Sequence, residues 1–280
     1  MTEINDALRA GLGGAPPAVW PALPHARHGA AAHRAVVVGG VGPLGSVVLE
    51  HLVSSGGFAR VATPVWRPVA MALRGIEAWP LATLQQPPPA GHRADTGVVV
   101  FDREHHRHGR EAAFVRPLPA ELPLLGRWLQ AAGVRRLVVV MPHAPALLPQ
   151  ALRAGLASLD EQALAGLGFD QLVIVRPARA PGQRAPQHDG LPTGGLHALA
   201  QGLLAQLGWM VPQREQALRP RKVAAFVTAL VRALPAAATG TRVAPPELLW
   251  DWAQPGGDAA LAAWLQHGQW QPPRATGRRW

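Results

Sequence analysis

A chain of 280 residues, 48% of them hydrophobic, has the length and apolar content to bury a full core, which argues against disorder of the whole. With no cysteine it can form no disulfide and offers no thiolate to a substrate or a zinc ion. The net charge of +10 would suit an acidic partner, yet every basic residue except Lys222 is arginine and the arginines are spread along the chain. No recognition-helix or RNA-binding aromatic motif accompanies them, so the charge reads as a compositional bias and argues against nucleic-acid binding.

Residues 1–33 open without a basic stretch followed by an apolar one, and no run in the chain reaches the roughly 20 apolar residues that span a bilayer. The expectation is a soluble, cytoplasmic protein with no membrane partner. Rich in Ala, Pro, Gly and His and lacking a sustained apolar period, residues 1–33 read as a loosely ordered extension.

From Arg34 onward, short β-branched runs alternate with helical patterns. The runs are AVVVGG at 35–40, RVATPVW at 60–66, TGVVVF at 96–101, RRLVVVM at 135–141 and DQLVIVR at 170–176. Continuously apolar strands suit a parallel sheet buried on both faces, where alternation would suit a half-exposed one. Helices are expected at 43–54, 119–132, 146–167 and 221–234; the third follows from the spacing of Leu148, Leu152, Leu156, Leu159 and Leu164. Strand and helix in alternation predict a doubly wound α/β fold, a mostly parallel Rossmann-like sheet with helices on both faces, over residues 34–245. Residues 246–280 carry half of the ten tryptophans, Trp250, Trp252, Trp264, Trp270 and Trp280. They read as a small appendage packing aromatics onto the domain, the sharper alternative being a surface for a protein partner or a second copy of the chain.

The stretch GGVGPLG after the first strand can be parsed as Gly39-x-x-Gly42-x-x-Gly45 or as Gly40-x-Gly42-x-x-Gly45. A dinucleotide turn needs glycine where the chain leaves the strand at unusual φ, where backbone approaches a pyrophosphate, and where the helix lies tight on the sheet. Free N–H groups and the helix dipole then face the phosphates. The preceding AVVV and the following amphipathic helix supply the context that gives such a motif weight.

An NAD site would next place an acidic residue at the end of the second strand, to accept the ribose 2′-OH. Between Glu50 and Glu77 there is none, and Arg67 stands there instead. A guanidinium at that position suits a 2′-phosphate, which favours NADP(H) over NAD(H).

In order and spacing, VVVGGVGPLG, VWRP, DTGVVVFD, GREAAFVRPLP, AGVRRLVVVMP, LDEQALAGLGFDQLVIVRPA and LRPRKVAAFVTALVRAL resemble the atypical branch of the short-chain dehydrogenase/reductase superfamily. The likeness is to its Tat-interacting-protein-like and NmrA-like NAD(P)-binding members, over roughly residues 34–245. The resemblance implies a Rossmann-like domain holding NAD(P)(H) at the carboxyl ends of the strands, with a small substrate region after residue 176. By position it assigns Gly39, Gly42 and Gly45, with Gly40, Pro43 and Leu44 completing the turn, to the pyrophosphate, and Arg67 to the adenosine ribose. Phe101 and Asp102 fall in the adenine-side loop, and Met141, Pro142 and the turn containing Pro177 border the nicotinamide.

The chemistry of that superfamily rests on a Tyr-x-x-x-Lys pair, whose members share a helix face so that the lysine can tune the tyrosine that moves the proton. This sequence has no tyrosine. Arg153 and Ala157 fall near the Tyr and Lys positions, Met141 and Pro142 where a strand-end serine would be, and Lys222 lies far from that spacing. His143 is the nearest group with a suitable titration range; a guanidinium such as Arg153 binds anions but donates no proton at neutral pH. The histidines His105, His106 and His108, near Asp102 and Glu104, read as a charged loop rather than a metal centre, because adjacent histidines diverge.

Two functions remain open at this point. One is a dinucleotide-binding protein without catalysis, a sensor or assembly factor. The other is an NADP-dependent oxidoreductase on a small carbonyl or quinone-like substrate, with proton transfer by another route.

Overall fold

The computed structural model describes residues 33–69, 71, 74–102, 109–141, 156, 158–177 and 218–268. All of these lie in the second of the two units into which the chain divides, His33–Trp280. Among them, seven strands form one sheet: β1 (Arg34–Val38), β2 (Arg60–Val65), β3 (Ile76–Pro80), β4 (Thr96–Val100), β5 (Arg136–Val140), β6 (Gln171–Val175) and β7 (Gly240–Ala244). Their order is β3-β2-β1-β4-β5-β6-β7 and every neighbouring pair is parallel. The fold is the doubly wound Rossmann-like arrangement. Strand order reverses between β1 and β4, and open sheets of this kind leave a crevice there beyond the strands' carboxyl ends.

The strand sequences follow from burial on both faces. Ala35, Val37, Val98, Val100, Val138, Val140, Val173 and Val175 point to one side. They meet helices α1 (Gly45–Ser54) and α4 (Pro220–Ala233) through Val48, Leu52, Phe226, Val227 and Leu230. On the other side Val36, Val38, Val99, Leu137, Val139 and Leu172 meet α2 (Leu122–Ala131) and α3 (Leu159–Ala165) through Leu125, Leu129 and Leu164. No residue in these strands can be polar on either side without losing its water, so the pattern is apolar run rather than alternation. All five expected strands are present.

Two strands have no counterpart in the sequence reading, and both lie at the sheet's edges. β3, IEAWP, contains a glutamate and a proline; β7, GTRVA, exposes its first two residues. An edge strand has one neighbour and partial burial, so it needs no apolar run. β3 is held instead by the fully buried Trp79, which meets Trp128 of α2 edge-on at a centroid distance of 6.3 Å.

The continuous helix expected over 146–167 is corrected by Ser158, whose backbone is extended (φ −133°, ψ 160°) and whose hydroxyl accepts the Glu161 N–H to start α3 at Leu159. Leu159, counted in the apolar stripe, is 81% exposed, whereas Leu164 is buried. Leu148 and Leu152 lie outside the described residues. The helices expected at 43–54, 119–132 and 221–234 appear as α1, α2 after a 3-10 turn at Pro119–Glu121, and α4.

Beyond β7, α5 (Pro246–Trp252) and α6 (Gly257–His267) join the core on the α1/α4 side. Trp264 is buried there, and Trp252 meets Phe226 edge-on at 5.4 Å while its indole N–H donates to Asp258. Trp270 and Trp280 lie outside the described residues. No described helix is long and apolar enough to cross a membrane.

At the amino ends of the central strands Asp95 gathers the charge. Its carboxylate accepts from the Arg34 N–H at 2.9 Å, pairs with His33 at 2.7 Å and takes a hydrogen bond from Arg136. The crevice end of the sheet is thereby left to the glycine turn.

Candidate functional site

β1 ends at Val38 and the chain turns through Gly39 (φ +80°) and Gly42 (φ +95°) before α1 begins. Both angles lie in the left-handed region that L-residues avoid. At Gly39 a Cβ would stand 2.1 Å from the Val100 carbonyl oxygen, so β1 leaves the sheet grazing β4. At Gly45 a Cβ would stand 1.9 Å from the Gly39 carbonyl oxygen, so the first turn of α1 rests directly on the turn's backbone.

Gly40 is different. A Cβ there would find its nearest neighbour, Leu49 Cδ2, at 3.3 Å, and no positive φ demands glycine. The geometry therefore selects the register Gly39-x-x-Gly42-x-x-Gly45. Pro43 is exposed on the rim and Leu44 is half-buried against the core.

The first turn of α1 contains no acidic residue and Leu44 provides no side-chain cap. The N–H groups of Leu44 and Gly45 are satisfied from just beyond β4, while that of Ser46 donates to the Gly42 carbonyl. Asp102, two residues past the strand, places Oδ2 2.6 Å from the Leu44 nitrogen and 3.1 Å from the Gly45 nitrogen, both of which donate to it. At Gly42 a Cβ would lie 2.7 Å from the same oxygen, so the glycine makes room for the carboxylate. This contact joins the glycine turn to the β4 end, and it was not foreseen in the sequence. A signal existed: an anion-seeking helix start without an acid of its own, and an acid at the end of the adjacent strand.

A second segment closes over the turn. The Gly39 N–H donates to the Val115 carbonyl and the Val115 N–H to the Pro64 carbonyl, while Trp66 N–H donates to Ala113. Residues 113–117 thus bridge the ends of β1 and β2, which brings Arg116 beside the turn. No spacing argument pointed to that arginine, because it arrives across sequence, not along it.

The remaining candidates fall as follows. Arg67 is exposed just beyond β2, with no hydrogen bond or ion pair among the described residues. Phe101 donates its N–H to Val140 and buries its ring in the α2 side of the core, leaving only its backbone near the crevice. Met141, at the end of β5, is half-buried against that same core. Pro177 is buried behind β6, next to Arg176, whose guanidinium pairs with Glu161 of α3. The turn residues and Asp102 are in contact; Arg67, Met141 and Pro177 stand at the carboxyl ends of other strands along the same edge. Pro142, His143, Arg153, Ala157 and the histidines at 105, 106 and 108 lie outside the described residues. Lys222 sits in the exposed first turn of α4. Among the described residues no group of His, Asp or Glu is arranged to hold a metal ion.

No protein-family model matches the sequence, and no curated protein does at a significant level. Several solved structures are similar to the chain. Uronate dehydrogenase from Agrobacterium tumefaciens, in a complex with NAD, is 16% identical over 76% of each chain, with a TM-score of 0.43. A Rossmann-fold NAD(P)-binding family protein from Shigella flexneri is 14% identical over 72% of this chain and 87% of its own, TM-score 0.38. UDP-N-acetylglucosamine 4-epimerase from Bacillus cereus is 12% identical over 79% and 82%, TM-score 0.38. The fold assignment stands on the strand order and parallel pairings of the chain itself.

Proposed function

We propose that the chain is an NAD(P)(H)-binding protein of the atypical short-chain dehydrogenase/reductase type that holds its dinucleotide at the Gly39-x-x-Gly42-x-x-Gly45 turn and lacks the usual proton-transfer pair. The observation that carries the reading is the turn itself. Gly39 and Gly45 exclude any side chain, the α1 N–H groups of Leu44 and Gly45 point to one anionic oxygen, and all of it sits at the strand-order reversal. The residues fit a bound pyrophosphate because the donors already engage a negative oxygen there.

When bound, the cofactor would supply hydride chemistry. The chain's own part is narrower. The α1 amides would take phosphate oxygens and Arg67 would take a ribose 2′-phosphate, favouring NADP(H). With no tyrosine in the sequence and Lys222 exposed on α4, no Tyr-x-x-x-Lys relay can form. Holding the cofactor without turning over a substrate is therefore the preferred reading, and a partner or second copy of the chain would read the bound state.

Titration with NADPH and NADH in parallel, followed by intrinsic tryptophan fluorescence, tests this. The expected result is saturable binding, tighter for NADPH, with no oxidation of bound NADPH across a panel of carbonyl and quinone substrates. Turnover of any of these would favour the oxidoreductase. No saturable change with either cofactor would remove the dinucleotide reading altogether.

A further inference from the structure

We propose that Asp102 is an internal occupant of the pyrophosphate seat, a carboxylate that must swing away before a dinucleotide can enter and that thereby sets the protein's affinity. The inference rests on the dinucleotide reading above and adds a regulatory contact to it. Its basis is a coincidence of position. The donors a pyrophosphate would use at the start of α1 are the N–H groups of Leu44 and Gly45, and both donate to Asp102 Oδ2, at 2.6 and 3.1 Å. The glycine that should open the backbone to a phosphate, Gly42, instead opens it to that same oxygen.

Two anions cannot share these donors. A phosphate oxygen in the seat would stand within a few ångströms of the carboxylate, where like charges repel strongly in a partly dehydrated crevice. One must leave. The backbone at Asp102 is not the part that moves, since the preceding residue, Phe101, is buried and tied through its N–H to Val140 at 2.9 Å. Withdrawal of the carboxylate from its half-buried position then falls to rotation about the Asp102 Cα–Cβ bond, a change on the side-chain timescale that leaves the sheet intact.

The arrangement is also self-consistent for the ligand-free protein. α1 starts without an acidic residue or a side-chain cap of its own, so the carboxylate from β4 satisfies amides that would otherwise be left to water. Asp102 caps the helix in one state and yields the same amides to a ligand in the other. The dinucleotide's gross affinity is then reduced by the free energy of that internal contact, as for any ligand whose competent state is a minor one.

The test compares the full-length protein with Asp102→Asn and Asp102→Ala. Binding of NADPH, NADH and adenosine is followed by tryptophan fluorescence and by isothermal titration calorimetry. Adenosine has no phosphate and serves as the probe that should not sense the carboxylate. The expected result is NADPH and NADH binding tightened about tenfold in Asp102→Ala, the scale of losing one charge-assisted competing contact, and less in Asp102→Asn. Adenosine binding should be unchanged in both. Asp102→Asn keeps the side-chain shape and a neutral acceptor, so it reports even if the alanine variant is too unstable to handle. Wild-type binding that is equalled or weakened in both variants would overturn the proposal while leaving the dinucleotide reading in place. Failure of the wild type and both variants to bind either cofactor would overturn both. Tightening of adenosine as much as NADPH would also overturn it, by showing a general loosening of the crevice rather than a vacated phosphate seat.

Discussion

Glu161 Oε2 lies 2.5 Å from Arg176 Nη2, and each side chain is only 3% exposed. The pair ties the first turn of α3 to the residue that follows β6, at the carboxyl edge of the sheet where the crevice lies. Charges buried this deeply are stable only while each has its counterpart. Glu161→Ala takes the α3 partner from the buried Arg176 guanidinium and is expected to cost about 3–5 kcal/mol of stability. Urea unfolding would read this as a lower midpoint at unchanged slope. Glu161→Gln, which keeps a hydrogen-bond acceptor, should cost less. An alanine variant as stable as the wild type would mean that the pair is not what fixes α3 to β6.

The register of the glycine turn is testable by paired substitutions. Gly45→Ala forces a Cβ to within 1.9 Å of a backbone oxygen, which only a displacement of α1 can relieve. A stability loss of at least about 1–3 kcal/mol is expected, with dinucleotide binding lost alongside it. Gly40→Ala makes its tightest contact with the end of the Leu49 side chain, at 3.3 Å, and should be tolerated within about 1 kcal/mol. Thermal melts of the two variants decide the matter; equal damage from both would restore the alternative register.

Arg67 provides the test of cofactor preference. It is exposed and has no partner among the described residues, so Arg67→Ala should leave stability within about 0.5 kcal/mol of the wild type. NADPH affinity should fall about tenfold, the scale of a lost hydrogen bond to a charged group, with NADH little changed. Equal loss for the two cofactors would remove the arginine from the 2′-phosphate.

Much of the fold was legible because burial on both faces writes itself into composition. A central strand flanked by two layers of helix, such as β4 or β6, has no solvent side, so TGVVV and QLVIV leave no other reading. The glycines were legible too, because steric exclusion of a Cβ is a property of one residue type. β3 and β7 were not, since a half-exposed edge strand can be made from IEAWP or GTRVA as readily as from an apolar run. The break at Ser158 escaped as well. Leucines at helical spacing continue through it, and only the extended backbone and the hydroxyl cap start α3 where it does.

What the sequence determined by itself was the class of fold, the strand-turn-helix around Gly39, Gly42 and Gly45, and the lack of a tyrosine relay, all of them local or compositional properties. Which glycine register operates, and which group faces the α1 amides, were decided only when β4 came to lie beside β1. That pairing brings Asp102 across 58 residues of chain to the Leu44 N–H. Contacts of that separation obey no periodicity, because they depend on how whole elements stack, and so the carboxylate at the start of α1 belongs to the tertiary structure alone.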